Sequence, residues 1–217
     1  MRILLVNGSP RRAAANSRIV LDSLKSRLGE GHEYRMVEAM SRDAEAGDLE
    51  CDFIVLAFPL YIDCLHSRLL SWLLSYEALL ARARASGGAR RRIGLIAVAN
   101  NGFHEGVQNE TALRIVANFC ARAGIEWRGG LGVGTGEMLK ELKGAPSRML
   151  IKRPVSLALD AIASRVGEEP SPSGNLYVQH AFPWLLFKLV AHAGWRRQAR
   201  ANGLGPRELR ARPFASR

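Results

Sequence analysis

Apolar and polar positions along the chain sort into two alternating kinds of run. Residues 2–6 are almost uniformly apolar, which suits a strand buried on both faces. From Ser17 the pattern changes: Val20, Leu21, Leu24 and Leu28 recur at helical spacing until Gly29 and Gly31 stop them. Residues 32–37 fit a second strand, and 41–50 are polar and acidic without helical periodicity. A strong third strand, 51–58, ends at Pro59, and a helix over 65–83 follows with Leu69, Trp72, Leu73, Tyr76, Leu79 and Leu80 facing inward. Ser86-Gly-Gly88 closes that helix, and Arg90-Arg-Arg92 leads into a fourth strand at 93–99. A helix over 107–123, with Ile115, Val116, Phe119 and Cys120 on its apolar side and Gly124 as its stop, precedes a fifth strand at 125–133. Beyond it the pattern predicts a helix over 146–166 kinked at Pro154, a Pro/Ser-rich loop over 167–174 and a last helix over 182–204 closed by Asn202-Gly203.

Strands that alternate with helices of this length imply right-handed crossovers and a parallel sheet covered on both faces. The expected architecture is α/β: a flavodoxin-like, doubly wound, five-stranded parallel sheet of order 2-1-3-4-5, with an extra C-terminal helical appendage. The expected division is a main domain over 1–167 and, over 168–217, a linker and helix belonging to the same domain.

In such a sheet a ligand binds beyond the carboxyl ends of the strands, at the switch point formed by the loops after strands one, three and four. The first loop offers Ser9, Asn16, Ser17, the free N–H groups of a helix start and Arg11 or Arg12, a combination suited to a phosphate. The plainer reading is a turn with Asn16 or Ser17 as N-cap. The second loop, Pro59-Leu60-Tyr61-Ile62-Asp63, places a ring and aliphatic side chains after a buried strand, as a wall for a planar ligand or, more simply, as a helix entry capped by Asp63. The third, Asn100-Asn101-Gly102-Phe103, adds amides and an aromatic, in what is otherwise a common turn pair. No G-x-x-x-x-G-K-[ST] pattern occurs, which argues against triphosphate hydrolysis. Glycines 129–136 fail G-x-G-x-x-G spacing and follow strand five, so close backbone approach or a tight turn explains them better than a dinucleotide fingerprint.

Composition changes this picture in two places. Cys51, Cys64 and Cys120 are scattered, without a C-x-x-C pair, and read as reduced thiols; with no leader pattern and no apolar stretch of membrane-span length, the expectation is a cytoplasmic protein. The net charge is +11, and from residue 171 onward there are eight basic residues against one acid, Glu208. That tail begins apolar (Phe182, Trp184, Leu185, Leu186, Phe187, Leu189, Val190) and turns basic (Arg196, Arg197, Arg200). Packing on a neighbouring subunit, as in a homo-oligomer, or on its own domain is the favoured reading; contact with an anionic membrane surface is the other, and no nucleic-acid motif is present.

Asn7-Gly-Ser-Pro-Arg11 with Asn16-Ser17 resembles the FMN phosphate loop of the flavodoxin-like NAD(P)H-dependent FMN reductases. Phe58-Pro-Leu-Tyr-Ile-Asp63 looks like their second flavin loop, and Asn101-Gly-Phe-His-Glu-Gly106 with Gln108-Asn-Glu110 is similar to the third loop of an uncharacterised branch. The likeness continues through Gly129-Gly-Leu-Gly, Gly136-Glu-Met138, Gly194-Trp-Arg-Arg197 and Asn202-Gly-Leu204, with departures at His66 and His104. The resemblance implies bound FMN held by Ser9, Arg11, Asn16, Ser17, Pro59, Leu60, Tyr61, Ile62, Asp63, Asn100, Asn101, Gly102 and Phe103. It also implies hydride transfer from NAD(P)H through FMN to a small acceptor (a flavin, a quinone, or a nitro or azo compound), with no catalytic side chain required. The rival readings are a flavodoxin-like electron carrier, against which the basic charge counts, and a flavin-free binding module on the same fold.

Overall fold

A computed structural model describes residues 1–87, 92–167, 174–205 and 207–211. The chain divides into two compact units, Met1–Ala181 and Phe182–Arg217.

The first unit is built on β1 (Arg2–Asn7), β2 (Glu33–Glu38), β3 (Phe53–Pro59), β4 (Gly94–Asn100), β5 (Glu126–Val133) and β6 (Leu176–Val178). All neighbours pair in parallel, in the order β2-β1-β3-β4-β5-β6. The expected order is therefore present with one strand added at the β5 edge. Three residues are too few to carry a period-two pattern, and β6 is set by tertiary contacts: Leu131–Val133 pair with it, and the Asn175 Oδ1 beside it accepts from Gly130 N at 3.0 Å.

Helices α1 (Asn16–Leu28), α2 (Ser67–Ala85), α3 (Glu110–Ala123), α4 (Glu137–Glu141) and α5 (Arg153–Ser164) cover the two faces. Successive side chains of a strand point to opposite faces, so each strand feeds two cores. Leu4 and Val6 join Trp72, Tyr76 and Phe119 under α2 and α3; Ile3 and Leu5 join Val20, Leu24 and Ile162 under α1 and α5. Each such buried Leu or Ile contributes about 1.5–3 kcal/mol. Gly124 ends α3 in the left-handed conformation, φ 61°.

The expected kink at Pro154 is not there. Arg153 and Pro154 open α5, where proline's missing N–H costs nothing, and the expected 146–166 helix shrinks to Arg153–Ser164. Part of the remainder is taken by turns at 146–152, while α4, a helix of five residues, lies upstream where no periodicity can reveal it. Residues 41–50 hold one 3-10 turn, Ala46–Leu49, and the fully buried Asp48. The 167–174 loop lies, apart from its ends, outside the described residues, as do Gly88 and Arg90–Arg91.

In the second unit, α6 (Trp184–Ala201) ends at Asn202 with Gly203 at φ 72° and Leu204 N donating to Ala199 O at 2.8 Å, a Schellman-type stop. Trp184, Leu185, Leu186, Leu189, Val190 and Trp195 are exposed. No helix among the described residues is long and apolar enough to cross a membrane.

Candidate functional site

The carboxyl ends of β1, β3 and β4 surround a crevice of about 180 Å³. Its construction starts at Asn7, the last residue of β1, which is wholly buried. The Asn7 amide donates to Arg12 O at 3.0 Å and Glu38 Oε2 at 2.9 Å, and its Oδ1 accepts from Ser9 N at 3.2 Å. One side chain thus folds the whole 8–12 loop back on β1. Burial raises the Glu38 carboxyl pKa, against the pull of Arg18, the Asn7 amide and Arg12. Gly8 allows the loop to leave the sheet at this point: a Cβ there would come within 2.9 Å of the side chains of Leu69 and Phe58.

Neither Asn16 nor Ser17 caps α1. The N-cap is Ala15, without a side-chain hydrogen bond, and both polar residues lie inside the first turn. Their side chains instead tie the loops together. Asn16 Nδ2 donates to Gly136 O at 2.9 Å, and the Ser17 hydroxyl donates to Asn100 Oδ1 at 3.3 Å. The first N–H groups of α1 have no carbonyl to reach within the helix, and they open at the same end as the exposed Arg11. The Ser17 bond is long and its hydroxyl hydrogen rotates, so an anion at the helix start can take that donor over.

Ser9, Arg11, Asn16, Ser17, Pro59, Leu60, Tyr61, Asn100, Asn101 and Gly102 all line the crevice. Ile62, Asp63 and Phe103 do not. Tyr61 and Cys64 exchange both backbone hydrogen bonds, each 2.9 Å, so Ile62 and Asp63 form the tip of a two-residue hairpin. Ile62 is 98% exposed there, and Asp63, the expected cap, is exposed and does not cap α2. The cap is His66: its Nδ1 accepts from Arg68 N at 3.1 Å while its ring meets Tyr61 edge-on at 5.3 Å. Phe103 is exposed, and its N–H is occupied by Asn101 Oδ1 at 2.9 Å. Asn101 N donates to Val133 O at 3.0 Å, which leaves Gly102 as the N–H of that trio with no acceptor in the chain among the described residues.

The hairpin tip is strained. Ile62 and Asp63 have φ of 46° and 57°, values that favour Gly or Asn, and for a β-branched residue such a φ is an outlier. The double variant Ile62→Asn/Asp63→Gly, which supplies the preferred turn pair, is expected to stabilise the fold by about 1 kcal/mol and raise Tm by roughly 3 °C. Thermal unfolding followed by circular dichroism measures this, and an unchanged or lower Tm contradicts it.

Sequence reasoning missed Ala15, Gly136 and Glu137, which also line the crevice. The signal was the glycine run. Gly136 N donates to Asn101 O at 2.7 Å, and a Cβ on Gly136 would sit 2.6 Å from that same oxygen. The glycines after β5 therefore serve close backbone packing of the 134–136 turn against the loop after β4.

Cys51 and Cys120 are buried, which pushes their thiols up to about 11 and about 12; both are uncharged and unreactive at neutral pH. The third thiol, Cys64, is half-buried and unpaired. Among the described residues no cluster of His, Cys, Asp or Glu gathers to hold a metal.

A six-stranded parallel sheet with helices on both faces and its crevice at the β1/β3 switch point is the flavodoxin-like fold. Solved structures share it at low identity. One described as a "flavone reductase" superposes with TM-score 0.52 at 12% identity, over 81% of this chain and 66% of that one, so the chain spans just under two thirds of that protein. One from P. pentosaceus described as an NADPH-quinone reductase superposes with TM-score 0.50 at 19% identity, over 77% of this chain and 100% of that one. No family model matches the sequence, and no curated protein matches it.

Proposed function

We propose that the protein is an FMN-dependent oxidoreductase, taking a hydride from NAD(P)H and passing it to a small acceptor such as a flavin, a quinone, or a nitro or azo compound. The observation that supports this most is the convergence of three chemically distinct loops on one crevice at the start of α1. When bound, FMN would supply the redox chemistry of hydride transfer, and the residues around the crevice would hold and orient it.

The residues fit such a group. Arg11, Ser9, Ser17 and the opening N–H groups of α1 form the phosphate end, where the helix dipole adds to the arginine charge. Pro59, Leu60 and Tyr61 offer the apolar wall, and Gly102 offers an N–H for a polar ring edge. Buried Asn100 and Asn101 hold the loops in register before any ligand arrives, through the Ser17 and Glu105 contacts. Among the described residues lining the crevice, Glu137 is the one whose charge opposes a phosphate. The crevice volume of about 180 Å³ is below the roughly 300–1,000 Å³ of sites that engulf a ligand, so these residues would hold only part of an FMN molecule.

The test is the visible absorption spectrum of the purified chain before and after adding FMN. Perturbed flavin bands are expected, followed by NAD(P)H oxidation with a quinone or free flavin as acceptor. A chain that takes up no FMN overturns the reading, and one that binds FMN without oxidising NAD(P)H is a carrier. Arg11→Ala is expected to weaken FMN binding roughly 10–100-fold, the loss of a charge-assisted contact, and Ser17→Ala about tenfold. Fluorescence-quenching titration measures both; unchanged affinity in the two variants places the cradle elsewhere.

A further inference from the structure

A second cavity, about 240 Å³, lies between α1, α4 and α5 and shares no lining residue with the crevice. It belongs wholly to the first unit. In liquid-water terms it holds about eight molecules, room for a small organic ligand.

Its chemistry is two-sided. Val20, Leu139, Val155 and Leu159, all buried core residues, with Ile19 and Leu142, make an apolar floor. Around the mouth stand Arg27, Lys143 and Lys152 against one lining carboxylate, Asp22. Asp22 is taken by Arg18 at 2.9 Å, and Arg27 by Asp160 at 2.6 Å with Ser156 Oγ at 2.8 Å. The two lysines have no carboxylate partner among the described residues. Lys152 Nζ donates only to main-chain oxygens, Ala145 O at 2.8 Å and Lys143 O at 3.5 Å, which compensate its charge poorly. Burial and the nearby Arg27 lower its pKa, the mark of an ammonium short of counter-charge. His180 closes one end. It is buried, with its Nδ1 on Thr135 Oγ1 at 2.9 Å, and adds no charge at neutral pH.

We propose that this cavity is a binding site for a small carboxylate with an apolar body, the carboxylate meeting Lys152 and Lys143 and the body lying on the α1/α4/α5 floor. A neutral ligand leaves the half-buried Lys152 ammonium with main-chain oxygens alone. Inorganic phosphate leaves the apolar floor wet. Only a molecule with one anionic end and one apolar end satisfies both halves.

The experiment uses the isotopically labelled 217-residue chain, with octanoate and octan-1-ol as paired probes of equal body and different head. Octanoate is expected to shift the amide signals of Ser23, Ser156 and Leu159 saturably, while octan-1-ol binds at least tenfold more weakly. Lys152→Met, which keeps the apolar stem, is expected to weaken octanoate roughly tenfold, and Lys143→Met, at an exposed position, also to weaken it. Arg11→Ala leaves octanoate binding unchanged, which separates this site from the proposed flavin crevice. Octanoate that shifts no signal of α1 or α5, shifts confined to α6, equal binding of the alcohol, or wild-type affinity in both lysine variants each overturn the proposal.

Discussion

Asp48→Ala is expected to destabilise the fold by about 4 kcal/mol and lower Tm by roughly 10 °C. Asp48 is fully buried in the short 3-10 turn that follows β2. Burial on its own raises a carboxyl pKa. Here it is outweighed by the Arg42 fork at 2.7 and 2.8 Å, the Glu45 N–H at 2.9 Å and the charges of Arg42 and Arg35, so the carboxyl is held below the ordinary range. Removing it leaves the half-buried Arg42 guanidinium facing an empty buried pocket, the expensive way to break an ion pair. Arg35, half exposed, accounts for little of the loss. Asp48→Asn keeps one acceptor for Glu45 N and is expected to lose about half as much. Denaturant unfolding reads both, and a loss below about 1 kcal/mol for Asp48→Ala sinks the argument. No residue of the turn lines the crevice, so uptake of FMN by the folded fraction is expected to be unchanged.

Between pH 6.5 and about 4 the chain is expected to lose about 3 kcal/mol of stability through His180. Burial lowers its pKa to about 4, and the Lys152 ammonium adds to this; the Thr135 hydrogen bond pulls weakly the other way. The folded state therefore holds His180 neutral where the unfolded chain would already be protonated. Stability from this source is complete above the unfolded pKa of 6.5 and drains away as pH falls through the folded value. His180→Gln, which can keep a hydrogen bond to Thr135, is expected to flatten that pH slope while costing stability at pH 7. An equal acid slope in the variant assigns the loss to the carboxylates instead. The residue matters beyond stability because Thr135, at φ 52° and bonded to His180 through both ring and main chain, directly precedes Gly136 and Glu137 on the crevice wall.

The first five strands, the α1, α2 and α3 helices and the glycine stop of α3 were legible because each rests on local pattern: uniform apolar runs, 3.6-residue recurrence, glycine where φ turns positive. The crevice was legible for a related reason. In a parallel sheet the chain must leave every strand at the same end, so the loops after β1, β3 and β4 are bound to meet once the strand order is known. That is why Ser9, Arg11, Tyr61 and Asn101 could be named from a single chain.

What the linear pattern could not contain is the partner of each polar group. Asn16 and Ser17 carry every local mark of an N-cap, yet one reaches Gly136 and the other Asn100, across separations of 120 and 83 residues. Asp63 looks like a helix cap and stands at a hairpin tip; His66, which the sequence marks only as a departure from the family pattern, does the capping. Asp48 lies in a stretch that reads only as polar and acidic and is a buried ion-pair centre, and His180, which no local pattern singles out, is a buried neutral base. Hydrophobic burial is set residue by residue and repeats along the chain, so sequence alone determined five of the six strands, the α1, α2 and α3 layers and the position of the crevice. Hydrogen bonds and charge pairs are satisfied by whichever group the fold brings near, so only the tertiary structure decided which polar side chains face the crevice and which are spent holding it together.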